Sequence, residues 1–179
     1  MSLFLATLLT GIFLAFAGGA LLSGHSLISS ALKGFPRSPL ATAVFFGGAA
    51  LWFLFRVWNL SSADFGEYRT ALFMGFFAVA ALAFIYVPDF LAVRGVAGLL
   101  LLVASPLLDS AYMEWDYPQR LLLVSLVYLG IAIALWLGAQ PYRMRDFLEW
   151  LYRRPARPKQ FGAVQLFYGF VLCVTAFTY

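Results

Sequence analysis

The sequence has few charged residues for its length. Only 11% of its 179 residues are charged, whereas 63% are hydrophobic. Soluble domains average about 25% charged and about 45–50% apolar residues. This scarcity of charge excludes a soluble globular domain, and several membrane spans of ~20 residues leave no room for a second domain. The sequence therefore predicts a single all-α integral membrane domain over residues 1–179.

Cysteine and histidine occur once each, as Cys173 and His25. A single cysteine excludes a disulfide within the chain, and a single histidine excludes haem ligation by two histidines of one chain. Serines beside His25 in the sequence do not make a catalytic site, which requires groups that meet in space. We predict no catalytic residue and no metal site, and the sequence identifies no cofactor. We interpret His25 as a polar residue at the cytoplasmic end of the first span.

Ionisable side chains are missing from the centres of the long apolar runs. The polar residues there are Thr42, Ser105, Ser125, Tyr128, Gln165 and Tyr168. Ion-coupled pumps and transporters usually keep an ionisable group at mid-depth, despite its cost. The sequence therefore argues against ion-coupled transport.

Six apolar runs are long enough to cross a membrane. They are Leu3–Ser23, Leu40–Leu60, Ala71–Val87, Val96–Met113, Leu121–Gln140 and Phe161–Tyr179. Two further segments have the apolar spacing of amphipathic helices, His25–Phe35 and the stretch in which Met144, Phe147, Leu148 and Leu151 recur at i, i+3, i+4 and i+7. Such helices lie in the membrane interface. The predicted fold is a polytopic bundle of six transmembrane helices plus two short interfacial helices.

The basic residues predict the orientation of this bundle. Gln140–Gln160 contains six of the twelve Lys and Arg residues, namely Arg143, Arg145, Arg153, Arg154, Arg157 and Lys159. Short loops rich in Lys and Arg stay on the cytoplasmic side during insertion. If both termini are non-cytoplasmic, only Arg56, Arg69 and Arg120 fall outside. We expect a multi-pass protein of a bacterial inner membrane with that orientation, provided that the chain reverses at Pro88–Gly95.

Two groups of polar residues are candidates for function. The six basic residues of Gln140–Gln160 form either a loop that only sets topology or a contact site for anionic lipid headgroups or an acidic partner. At the outer face, a possible polar cluster comprises Arg56, Asp109, Glu114, Asp116 and Arg120. Its carboxylates suit general acid–base work or a hard cation, and the alternative is a solvated acidic loop.

The leading functional hypothesis is a non-enzymatic, membrane-embedded subunit or scaffold of a larger assembly. Small residues recur every four positions in the first and fifth spans, as Gly11, Ala15 and Gly19 and as Gly130, Ala134 and Gly138. Such stripes allow close helix approach, so the expected partners are lipids, other membrane subunits or further copies of the chain, and not nucleic acid. The alternatives are a transporter or channel for a neutral or lipid-like solute, and a membrane enzyme acting on lipid headgroups at the outer face.

Overall fold

The chain folds into helices joined by short turns. This computed structural model describes the backbone of residues 1–179 and every side chain except that of Ser62. Within this description there are eight helices of more than three residues and no strand. They are α1 (Leu3–Ser23), α2 (Ser26–Gly34), α3 (Pro39–Trp58), α4 (Arg69–Tyr86), α5 (Leu91–Ala111), α6 (Arg120–Ala139), α7 (Tyr142–Tyr152) and α8 (Ala156–Ala176). The predicted all-α membrane helix bundle is confirmed.

Five of the helices are long and apolar enough to cross a membrane: α1, α3, α4, α5 and α6. The predicted count of six spans is not confirmed. The remaining long helix, α8, begins at Ala156 rather than at Phe161, so its first turn includes Arg157 and Lys159. These charges lower the mean hydropathy of α8, although its apolar part lies along α1.

The chain reverses direction between α4 and α5. The ring centroids of Trp58 and Phe73 are 5.4 Å apart, and those of Phe46 and Phe84 are 5.3 Å apart, so α3 and α4 are antiparallel. On the other side of α3, Gly95 lies beside Phe46 and Gly98 beside Ala49, so α3 and α5 are parallel. The turn at 87–90 therefore separates two antiparallel helices.

The fourth predicted span began too late. We expected Val96 as its first residue, but α5 begins at Leu91, directly after Phe90 in the left-handed conformation with φ 57°. Arg94 interrupts the apolar run without interrupting the helix, because arginine is a good helix former. The charge of Arg94 therefore led us to place the start of this helix five residues too late, at Val96 instead of Leu91.

The first and last helices make the most extensive contact in the molecule, and their backbones touch. A Cβ atom added at Gly18 would lie 2.5 Å from the backbone nitrogen of Leu166, and one at Gly169 would lie 2.6 Å from that of Ala15. Gly11 and Gly162 are equally confined. The α1 backbone can touch the α8 backbone because these positions carry no side chain.

The contact on α1 differs from the predicted stripe by one residue. Gly11 and Ala15 of that stripe lie against α8 of the same chain, but Gly18 completes the contact and Gly19 does not. With 3.6 residues per turn, residue i+7 stays closer to the face of residue i than residue i+8 does. A Cβ atom at Gly19 would make an ordinary contact of 3.9 Å with the Leu166 side chain.

The bundle has two chemically different ends. At the first, the terminal end, Leu3 and Ala6 pack with Leu123 and Val127, and both chain termini meet there, with the rings of Phe4 and Phe177 5.6 Å apart. At the second, the basic end, Phe35, Phe90 and Met144 pack on the cluster of Val93, Ala97, Ala134 and Leu137. α2 and α7 lie at the basic end and connect the α1–α8 pair to the other helices.

A widened turn in α3 fits this helix to α5. Residues Thr42–Phe46 are π-helical, and the Gly47 backbone nitrogen donates a hydrogen bond to the Thr42 carbonyl. The widened turn lies against Gly95, where a Cβ atom would overlap the backbone of Phe45 and Phe46. Such π-bulges have no strong sequence signature and often occur at functional positions.

Two neighbouring glycines test the α1–α8 contact. We expect Gly18→Ala to lower the unfolding free energy by about 1–3 kcal/mol, because the new methyl group forces two backbones apart. Gly19→Ala should be neutral or stabilising by up to about 1 kcal/mol, since its methyl group has room and alanine favours the helix. Unfolding in detergent micelles measures both. Equal effects of the two substitutions would contradict the contact.

Candidate functional site

The basic end carries two short helices, α2 and α7, that pack against each other. In α7, Leu148 and Leu151 are buried with 6% and 2% of their surface exposed, as the apolar spacing predicts. Phe147 is more exposed and lies beside Phe161, with ring centroids 5.6 Å apart. His25 caps the start of α2, because its Nδ1 accepts a hydrogen bond of 3.3 Å from the backbone of Leu27.

An open groove of about 460 Å³ lies between α2 and α7. It is lined by Lys33, Arg145, Leu148, Glu149, Tyr152 and Arg153. The Lys33 ammonium lies 5.2 Å from the centre of the Tyr152 ring, within the range of a cation–π interaction. Lys33 was not among the predicted contact residues, although its place between the first two spans already put it on the same side as Arg145 and Arg153.

Three of the six predicted contact residues are held by neighbouring groups. Arg143 donates a hydrogen bond of 3.0 Å to Gln140, and Arg145 donates one of 2.9 Å to Asp146. Arg145 also lies 3.7 Å from Glu149. Arg157 donates a hydrogen bond of 2.7 Å to the carbonyl of Trp150, with its guanidinium 4.5 Å from the Trp150 ring centre. Arg157 thus ties α7 to α8, Arg143 ties the start of α7 to Gln140, and Arg145 pairs within α7.

The other three predicted contact residues are Arg153, Arg154 and Lys159, and all three are exposed. Among the side chains that the structure describes, none of them has an ion-pair partner within 4.0 Å or an aromatic ring beneath it. Their charges therefore face outward from the basic end.

Two groups beside the groove have shifted pKa values. The hydrogen bond to Asp146 and the attraction of its charge raise the pKa of the Arg145 guanidinium. Burial raises the pKa of the Tyr152 hydroxyl, because partial removal from water disfavours the phenolate. At neutral pH, Arg145 is charged and Tyr152 retains a proton that it can donate.

The predicted polar cluster at the terminal end is spread out. Arg120 donates a hydrogen bond of 2.5 Å to the carbonyl of Ala111 and stacks over the Trp115 ring at 4.5 Å. Asp109 lies 3.5 Å from the Ser105 hydroxyl. Glu114, Asp116 and Arg56 are exposed. For the described side chains, no carboxylate of this group is within 4.0 Å of either arginine.

Polar side chains connect α6 and α8 at a partly exposed contact. The Tyr168 hydroxyl donates a hydrogen bond of 2.9 Å to the Leu122 carbonyl and lies 3.5 Å from the Ser125 hydroxyl. Gln165, in the preceding turn of α8, has a buried side-chain oxygen with no hydrogen-bond partner in the described chain. An unpaired buried carbonyl costs about 1–3 kcal/mol, so it is a ready acceptor for a hydroxyl or amide donor.

α4 is the least covered of the long helices. None of its residues is buried, and α3 is the only helix in the described structure against which it packs extensively. Phe73, Phe76 and Phe84 make that contact. On the opposite face, Ala71, Gly75, Ala78 and Leu82 share one side of α4, and a Cβ atom at Gly75 would meet nothing within 4 Å.

Replacing Arg157 by lysine tests how α7 is anchored. We expect Arg157→Lys to weaken the attachment of α7 to α8 by about 1 kcal/mol, because an ammonium group does not reproduce both the carbonyl hydrogen bond and the ring stacking. Amide hydrogen exchange in α7 should become about fivefold faster. Arg154→Lys preserves the same charge at an exposed position and should leave the exchange rate unchanged. Equal exchange in both variants would show that Arg157 does not hold α7.

Comparison with known proteins gives no further guidance. No protein-family model, curated protein or solved structure matches this chain. Its function has to be inferred from the surfaces described above.

Proposed function

We propose that the protein is a membrane-embedded, non-enzymatic subunit or scaffold of a larger assembly, and that α4 is where a neighbouring helix docks. The observation that carries this proposal is the uncovered state of α4. A span that packs on one helix contributes little to the bundle core, yet it presents a complete second face to the membrane.

The composition of that face supports helix docking. Without a hydrophobic driving force between helices in lipid, association depends on close packing, which small residues permit. Gly75 also lowers the helix propensity of α4 by roughly 0.5–1 kcal/mol relative to alanine. The glycines at the α1–α8 contact are covered by backbone inside the chain, whereas Gly75 and Gly130 are open.

We further propose that the basic end faces the cytoplasm of a bacterial inner membrane, with α8 crossing beside α1 as the sixth span. Nine of the twelve basic residues belong to the basic end. They are Lys33, Arg37 and Arg94 together with the six basic residues of Gln140–Gln160. This asymmetry is the pattern that retains loops on the cytoplasmic side. Both termini then lie on the opposite side.

Size measurement after mild detergent extraction from native membranes tests the subunit proposal. The wild-type chain should elute as a complex larger than a monomer, and Gly75→Leu should shift it toward the monomer, because the leucine side chain occupies the space that a docked helix needs. Ala132→Leu, at an exposed position of α6, should keep the complex intact. A wild-type chain that elutes as a lone monomer would contradict the proposal.

A second candidate function is transport of a neutral, hydroxylated solute, and the unpaired oxygen of Gln165 favours it. Such a solute would donate a hydrogen bond to Gln165 and contact Tyr168 and Ser125 on the way between α6 and α8.

Flux through liposomes decides between the two functions. If the chain transports glycerol or a similar neutral solute, reconstituted protein should raise the flux above that of empty liposomes. Gln165→Leu should reduce that flux about tenfold, because loss of one buried hydrogen bond costs on the order of 1.4 kcal/mol. Ser30→Ala, at an exposed position of α2, is the control. Flux equal to that of empty liposomes would remove this candidate.

A further inference from the structure

The groove between α2 and α7 combines positive charge with an apolar floor. Its lining contains three cations, Lys33, Arg145 and Arg153, one carboxylate, Glu149, and the buried side chain of Leu148. One wall is α2, which follows α1 near the start of the chain, and the other is α7, which precedes α8 near its end. The groove is therefore assembled by the fold and is not a property of either segment alone.

Only two of the three cations are available to a ligand. Arg145 is neutralised by Asp146 at 2.9 Å and by Glu149 at 3.7 Å. Lys33 lies over the Tyr152 ring, an interaction that leaves its N–H groups able to donate hydrogen bonds. Arg153 has no carboxylate within 4.0 Å among the described side chains. Lys33 and Arg153 thus present two charges, one from α2 and one from the residue directly after α7.

Tryptophans at the basic end indicate how deep this end lies in the membrane. Arg157 stacks over Trp150, and Arg143 lies 6.0 Å from the ring centre of Trp136. Tryptophan is enriched at the level of the lipid headgroups. Leu148 and Leu151 of α7 are buried, so α7 turns its apolar face to the bundle and its charged face to the headgroup region. Because the groove belongs to the basic end, we expect it at the depth of the phospholipid phosphates.

We propose that this groove binds the headgroup of an anionic phospholipid, with Lys33 and Arg153 donating to its phosphate and the Tyr152 hydroxyl as a third donor. Leu148 contacts the apolar carbons next to the headgroup. The net positive lining selects an anionic over a zwitterionic lipid, since each nearby cation adds attraction to a negative headgroup. The inference does not depend on the subunit proposal, because α4 lies elsewhere in the bundle.

An acidic segment of a partner protein is the other ligand with suitable charge. The lipid is favoured by the apolar floor of the groove and by its place at the basic end, where Trp136 and Trp150 also lie. A soluble acidic segment would bind more readily to Arg154 and Lys159, which are exposed outside the groove.

Titration of the detergent-solubilised full chain with short-chain phosphatidylglycerol, read by native mass spectrometry, tests the proposal. The double substitution Lys33→Gln with Arg153→Gln should weaken binding about tenfold to thirtyfold. The matched control is Arg154→Gln with Lys159→Gln, which removes the same charge from the same end and should change binding less than threefold. Lys33→Arg, which keeps the charge, should retain the affinity of the wild-type chain.

Parallel titrations identify the source of the phosphate. Phosphatidylcholine, glycerol 3-phosphate and inorganic phosphate should each bind much more weakly than phosphatidylglycerol, and an acidic peptide should not displace the lipid. Equal losses in the groove and control variants would overturn the site. Equal binding of phosphatidylcholine or inorganic phosphate, or displacement by the peptide, would overturn the assignment to an anionic lipid.

Discussion

The backbone contact between α1 and α8 is the constraint on which the rest of the structure depends. It joins the two ends of the chain, and it exists because Gly11, Gly18, Gly162 and Gly169 leave no side chain between the helices. In a membrane, where lipid tails are as apolar as the helices, such packing replaces the hydrophobic driving force that joins helices in water. The pair fixes both termini at the terminal end. At the opposite end, α1 leads into α2 and α7 leads into α8, so the same contact brings α2 and α7 together.

This constraint also separates surfaces used inside the chain from surfaces left for other molecules. The small residues of α1 are covered by α8, whereas Gly75 of α4 is open on the side away from α3. The basic residues are divided in a similar way. Arg145 and Arg157 are held by Asp146 and by Trp150, and they shape the basic end, whereas the charges of Lys33 and Arg153 are available to a ligand. The proposed assembly through α4 and the proposed lipid binding at the basic end therefore use different parts of the bundle.

The sequence predicted the helices much better than it predicted their contacts. The bounds of α1 were correct because Leu3–Ser23 is an unbroken apolar run, and the buried face of α7 followed from the spacing of Leu148 and Leu151. The start of α5 was wrong because hydropathy treats Arg94 as an interruption while the backbone does not. The choice of Gly18 over Gly19 follows from the 3.6-residue helical period, which the predicted four-residue spacing did not respect. By contrast, the packing of α1 on α8 and the pairing of Lys33 with Tyr152 join residues far apart in the chain. The periodicity of a segment carries no information about contacts with distant segments. For the same reason, the sequence could not distinguish the six basic residues of Gln140–Gln160, whose neighbours in the fold differ.

Oxidative crosslinking through the native Cys173 is the most direct test of the α1–α8 contact. A Cβ atom at residue 11 would lie 2.8 Å from the Cys173 sulfur, so a cysteine there is within reach of a disulfide. In Gly11→Cys protein oxidised in native membranes, we predict a disulfide within one chain, seen as a faster band on a non-reducing gel with the mass of a single chain. A disulfide-linked dimer of two chains in place of the single-chain disulfide would contradict a bundle closed by its own first and last helices.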